Sequence, residues 1–422
     1  MLTLLNRRYF KFYNVRSSTL FGVVILVFSP IDIIDLSFGL IGFNLIPFHL
    51  LAIAHTLNVL TKRPSLTNYD KKFVASNFFP NQISMIVLSF LIVLSYLLRD
   101  ADPANVAFGR TLIVIALIFF SLLFVHSHQD DFYEIFLLSS KAYILLNLVV
   151  FFVQLLMAIG IIPVIDILAS SVDLDGTIRL NGVVRDSSRA GVNLMIFLVL
   201  SFIIQKKTLP LRDRGRMSLP PWIYAAGIAL TIATFSRNAL VIFPIFLMIV
   251  YALEDSKQKI KLIILASSIL FSLLLVVISS DMLVQQLVFI LASSDGKENS
   301  TLVHFKLIED ATNILFSSTK SFLVGKGWGT EYLYAYEYFH GDGQKFANFH
   351  SGFISAGVQS GFLAAFLHFF IMVKPLIWRY RWGTLMIVIL WSNIFYQYYI
   401  QPFYWIILVA VNTPSIQSVQ DS

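Results

Sequence analysis

FGRTLIVIALIFFSLLFVH, residues 108–126, is almost unbroken apolar sequence with the length a helix needs to cross a hydrocarbon layer, roughly 20 residues. Working outward, further stretches of this kind lie at 18–36, 38–60, 82–98, 140–162, 191–205, 221–236, 238–253, 262–280, 350–373, 383–399 and 401–413, which makes twelve. The last pair shares only the thirty residues 383–412, so those two helices are expected to be short, tilted or incompletely spanning. The expected fold is therefore all-α: a polytopic integral membrane protein with about 12 transmembrane helices.

Composition agrees. The 422 residues are 57% hydrophobic and 13% charged, with a mean hydropathy of +0.77, a balance that gives a soluble domain too little polar surface. The spans use up the length, so residues 1–422 read as a single membrane domain with one large extracytoplasmic loop, 281–349, between spans nine and ten. The absence of cysteine excludes disulfides, thiolate metal sites and cysteine nucleophiles. Basic Arg7, Arg8, Lys11 and Arg16 precede the first apolar stretch, and no small-residue cleavage site follows, so the segment reads as a retained signal anchor.

The net charge of +7 is better explained by topology than by nucleic acid. With the N-terminus inside, the inner segments hold 20 of the 31 basic residues, among them Lys206, Lys207, Arg212, Arg214 and Arg216 in a single loop. Both termini are then cytoplasmic. Arg179, Arg185 and Arg189 fall outside, just before the sixth span, and Arg237 sits in the short turn Thr234-Phe235-Ser236-Arg237-Asn238. Outer arginines oppose the bias that sets orientation, and an anionic ligand is the simplest reason for them. The bland alternative for Arg185 and Arg189 is anchoring to lipid headgroups. A guanidinium stays charged and pairs bidentately with phosphate oxygens, so several of them would hold a pyrophosphate and stabilise it as it leaves.

In the large loop, Gly325-Lys326-Gly327-Trp328-Gly329 can bend tightly, and Asn348-Phe349-His350-Ser351-Gly352 hands the loop over to an apolar helix. His350, at a helix start, would be held neutral by the helix dipole and suits a general base; a capping or interfacial histidine is the bland reading. Residues 304–315 carry an i, i+3, i+4 apolar pattern and read as an amphipathic helix across the outer mouth. Tyr332, Tyr334, Tyr336 and Tyr338 would share one face if that segment were a strand, suited to sugar stacking or to the membrane interface. Gly352, Ala356 and Ser360, with Gly357 and Gly361 alongside, form a small-residue surface for close helix approach. His49, His55, His126, His128 and His368 have no metal-site spacing and read as packing or interfacial residues. Asp173-Leu174-Asp175 is a literal D-x-D, and Asp32 and Asp35 flank the first outer turn, but such patterns arise often by chance.

Taken together, Arg179-Leu180-Asn181-Gly182 entering a span, Thr234 to Asn238 between two spans, Gly325 to Gly329 in the loop, and His350-Ser351-Gly352 opening the next span resemble the O-antigen polymerase and ligase family of bacterial envelope glycan assembly. The likeness covers roughly 175–375. Two departures are Ser351, where the family usually has asparagine, and His304 or Lys306, where it often has a further arginine. The resemblance implies an inverting membrane glycosyltransferase in the bacterial inner membrane, active on the extracytoplasmic side. It implies an undecaprenyl-pyrophosphate-linked glycan as donor, a glycan acceptor and no metal or other cofactor. On that pattern His350 deprotonates the acceptor hydroxyl and Arg179 and Arg237 bind pyrophosphate, with Arg185 and Arg189 as further candidates. Gly325, Gly327, His304 and Lys306 are loop candidates, and a chain-length regulator is a potential partner. Polymerisation of repeat units, ligation onto a lipid A core, and, in a different class, transport or flipping of lipid-linked glycans are the competing activities.

Overall fold

The computed structural model describes residues 17–32, 46–61, 79–100, 104–165, 168, 171–172, 178–207, 219–234, 236–253, 300–335, 348–349, 351–378 and 382–413. These residues are predominantly helical. The helices are α1 (Ser17–Phe28), α2 (Pro47–Thr61), α3 (Phe79–Leu97), α4 (Ala104–Ser127), α5 (Phe132–Ala158), α6 (Ser187–Lys207), α7 (Pro221–Ala233), α8 (Arg237–Leu253), α9 (Ser300–Leu315), α10 (Thr319–Val324), α11 (Tyr332–Ala335), α12 (Gly352–Ile377), α13 (Leu385–Phe395) and α14 (Pro402–Val411). Two two-residue strands, β1 (Ser171–Val172) and β2 (Ile178–Arg179), pair antiparallel between α5 and α6.

The described parts of eleven of the apolar stretches read from the sequence are largely helical, and 262–280 lies outside the described residues. Among the described residues four helices are long and apolar enough to cross a membrane: Ala107–Ser127, Phe132–Ala158, Ser187–Lys207 and Gly352–Ile377. The segment 383–412 forms two helices of 11 and 10 residues, α13 and α14, each well short of the roughly 20 a full crossing takes.

α6 is the axis of the bundle. It is apolar on every side, so no face of it is suited to water, and Ala190 to Gln205 are buried without a break. α5, α7, α8 and α13 enclose it. α12 lies nearer the edge, packed against α3, α9, α10 and α13, with Phe362, Leu363 and Phe366 exposed.

α12 also carries a break. Gly361 has φ 78°, a conformation that side chains with a Cβ rarely adopt, so the helical ladder is interrupted and the carbonyls one turn earlier need other donors. The glycine-rich segment supplies them: Lys326 N donates to Val358 O at 2.7 Å and Gly327 N to Gln359 O at 3.0 Å. A Cβ on Gly325 would lie 2.5 Å from the Gln359 backbone. These glycines serve a close approach to the break in α12.

Of the loop segments read as ordered, 304–315 is helical within α9, with Leu307 and Ala311 buried in a small satellite core that also holds Ala335, Phe349 and Val358. The tyrosine segment corrects the strand alternative. Tyr332 to Ala335 make one helical turn, in which alternating phenols diverge around the axis. Tyr336 and Tyr338 lie outside the described residues.

Candidate active site

A cavity of about 460 Å³ opens at one end of the bundle. Its wall is drawn from helix ends that alternate along the chain: Asp32 after α1, His49 in the first turn of α2, Arg110 near the start of α4, Arg185 and Arg189 at the start of α6, and Tyr396 after α13. Trp328, Glu331 and Asn348 from the segments before α12 line it as well, with Gln359, Gln397 and Tyr399.

The turn before α6 is fastened from below. Asn181 Oδ1 accepts from Gln154 Nε2 at 2.6 Å, and Gly182 N donates to Gln154 Oε1 at 3.0 Å. Gly182 has φ 60°, and a Cβ there would stand 2.1 Å from Asn147 Oδ1. Glycine is therefore required on both counts. The turn then delivers Arg185 and Asp186. Asp186 Oδ1 caps α6 by accepting from Ser188 N at 2.7 Å and Arg189 N at 3.1 Å, so these two donors of the helix start are already used. Its other oxygen accepts the Tyr396 hydroxyl.

Asp32 faces the same arginines. Its Oδ2 lies 2.7 Å from Arg189 Nη1, and its Oδ1 accepts Arg185 N at 2.7 Å. Arg110 stacks over Tyr332, its Cζ 5.0 Å from the ring centroid. Three guanidiniums, Arg110, Arg185 and Arg189, thus share the wall with three carboxylates, Asp32, Asp186 and Glu331. The described lining is formally neutral, and Arg189 is paired with Asp32.

Glu331 is the most enclosed of the acids. Phe349 N donates to its Oε1 at 2.7 Å, Ser355 Oγ and Gln397 Nε2 donate to the same oxygen at 2.5 Å, and Gln359 Nε2 donates to Oε2 at 3.0 Å. Burial pushes its carboxyl above the usual carboxylate range, against the opposing pull of the hydrogen bonds from Ser355, Phe349 and Gln397.

Arg185 and Arg189 therefore sit together on the cavity wall. Arg179 ends β2 and Arg237 opens α8, and the side chains of both lie outside what is described. The backbone beside Arg237 is close by: Ser236 Oγ bonds Ser188 O at 3.3 Å and caps α8 through Ala239 N. His350 is outside the described residues, between Phe349, held by Glu331, and Ser351, which precedes α12. The D-x-D pair Asp173 and Asp175 is outside them too, as is Asp35. Among the described residues no group of three His, Asp or Glu is placed to hold a metal.

Of the four loop candidates, three are placed elsewhere and one cannot be placed. Gly325 and Gly327 face the α12 backbone and Arg99, and of this segment it is Trp328 that reaches the cavity. Lys306 is exposed on α9 and does not line the cavity, and the side chain of His304 is outside what is described. Sequence reasoning missed Arg110, Asp186, Glu331 and Tyr396. Arg110 had left a signal, a cation three residues inside an apolar span. Glu331 had left none. No protein-family model matches the chain, and no curated protein matches it.

Proposed function

We propose that this protein is a membrane glycosyltransferase that transfers an oligosaccharide from an undecaprenyl-pyrophosphate donor to a glycan acceptor with inversion, most simply as a polymerase of envelope polysaccharide repeat units. The single observation that carries this reading is the cavity at one end of an apolar helical bundle, lined by Arg110, Arg185 and Arg189, with Asn348 two residues from His350 on the same wall. Guanidiniums in a partly desolvated pocket bind the pyrophosphate and stabilise the charge it gains as the glycosidic bond breaks. His350 takes the proton of the acceptor hydroxyl, whose oxygen attacks the anomeric carbon. Arg179 and Arg237 complete the phosphate contacts, and no metal takes part.

In this reading the twelve apolar stretches form the membrane domain, both termini are cytoplasmic, and the cavity opens on the extracytoplasmic side of the bacterial inner membrane. The pyrophosphate then meets the pocket at the headgroup level while its polyprenyl chain stays in the bilayer. Ligation onto a lipid A core uses the same chemistry with another acceptor. Transport or flipping favours ionisable groups deep within the spans, whereas Arg110, Arg185 and Arg189 collect at one end of the bundle.

The test is His350→Ala in cells that make the native polymer. Glycan gels lose the long chains if the histidine is the base, and unchanged chain lengths remove it from the mechanism. A purified reaction with a single-repeat donor separates the activities. A ladder marks a polymerase, and transfer that requires a core acceptor marks a ligase.

A further inference from the structure

We infer that Glu331 is the positioning residue of the cavity, a buried carboxylate that sets the orientation of the polar side chains along one wall; the inference rests on reading that cavity as the donor site. Glu331 is 3% exposed and receives five donors from three separate stretches of chain. Phe349 N comes from the loop before α12 and Ser355 and Gln359 from its first turns, while Gln397 and Tyr399 come from the connection between α13 and α14. Gln359, Gln397 and Tyr399 line the cavity themselves, and Phe349 follows Asn348, which also lines it.

An ionised carboxylate offers about four lone-pair sites, so five donors saturate it. A saturated, enclosed carboxylate is poorly suited to taking a proton from a substrate, and its role is to hold its donors in place. The effect extends one residue further. Gln359 turns its Nε2 toward Glu331 and the Tyr399 hydroxyl, leaving Oε1 to accept Gly329 N at 2.8 Å. Glu331 thereby fixes which end of the Gln359 amide meets the glycine-rich segment, next to Trp328 on the wall. Removal of the carboxylate would leave several buried donors unsatisfied and free to reorient.

The experiment uses the full-length protein, purified, with an undecaprenyl-pyrophosphate-linked single repeat as the probe. Glu331→Ala lowers kcat on the order of 100-fold with a smaller change in the donor KM, because binding persists while the reacting geometry is lost. Glu331→Gln retains an acceptor oxygen for Phe349, Ser355 and Gln397 and stays within about tenfold of the parent. A second readout does not depend on turnover. The chain has no cysteine, so Asn348→Cys and Phe362→Cys together take spin labels without background, and their distance distribution is followed by pulsed EPR. It broadens in Glu331→Ala and stays narrow in Glu331→Gln.

Parental kcat and an unchanged distribution in Glu331→Ala overturn the inference. So does a loss of kcat that Glu331→Gln shares in full with the distances unchanged, since that marks a reacting carboxylate. If the parent itself does not consume the donor, the reading of the cavity fails, and the distance measurement alone decides whether Glu331 orders this wall.

Discussion

At one end of α1, Asp32 meets Arg189 beside open space; at the other, Thr19 donates to Asp131 at 2.6 Å inside a closely packed knot. The knot includes His55, whose Nε2 lies 3.1 Å from Ser127 Oγ, and His128, stacked on His55 with ring centroids 5.4 Å apart and 3.5 Å from Asp131. α4 runs between the two clusters, Arg110 near its start and Ser127 at its end, a separation of about 26 Å along the helix. Both hold buried polar groups. In the knot they bond one another and fasten α1, α2 and α4 to the start of α5. In the cavity they are oriented by neighbours yet still face a space large enough for a ligand group. Buried polarity alone therefore does not mark a site; what distinguishes one is oriented polarity beside volume.

The largest test of that difference pairs one substitution at each end. Arg189→Ala lowers transfer on the order of 100-fold, the scale for losing one donor aimed at developing charge. His128→Phe keeps the turnover of the parent and costs about 1 kcal/mol of stability, the scale of one hydrogen bond. Turnover assays and thermal unfolding on the same preparations check both. Equal losses of turnover would erase the distinction.

Backbone approach separates the two ends next. Gly361→Ala places a Cβ at 2.3 Å from Leu323 O in a conformation that disfavours any side chain, and destabilises by about 3 kcal/mol. Gly22→Ala, beside the knot, meets only Ile135 Cδ1 at 2.7 Å, a flexible tip, and costs about 0.5–1.5 kcal/mol as that side chain changes rotamer. Melting temperatures of the two variants give the order directly.

The smallest effect sharpens the cavity itself. Asp32→Asn removes the charge that competes for Arg189 but keeps an oxygen for Arg185 N, so inhibition by inorganic pyrophosphate tightens on the order of tenfold, about 1.4 kcal/mol. Weaker inhibition would show that Asp32 orients the arginine more than it opposes the ligand.

Much of the bundle was legible because an apolar helix carries its own evidence in length and hydropathy, as 108–126 and 140–162 do. Arg185 and Arg189 were legible because their sign opposed the expected orientation. Glu331 was not, because a lone acid in a polar loop looks the same whether it faces water or five donors drawn from residues 349 to 399. For Gly325 and Gly327 the sequence shows the freedom to bend but not what lies against them. Glycine permits close approach, and what approaches Gly325 is the broken turn of α12 at Gly361, while what approaches Gly327 is Arg99.

In the proposed reaction the arginine-lined cavity binds a lipid pyrophosphate and expels it as a leaving group. The direct measurement is the release of undecaprenyl pyrophosphate by purified protein given a single-repeat donor, counted against new glycosidic bonds. One lipid pyrophosphate freed per bond formed is the predicted result. A donor that stays intact, whether bound or moved across the bilayer, would contradict it.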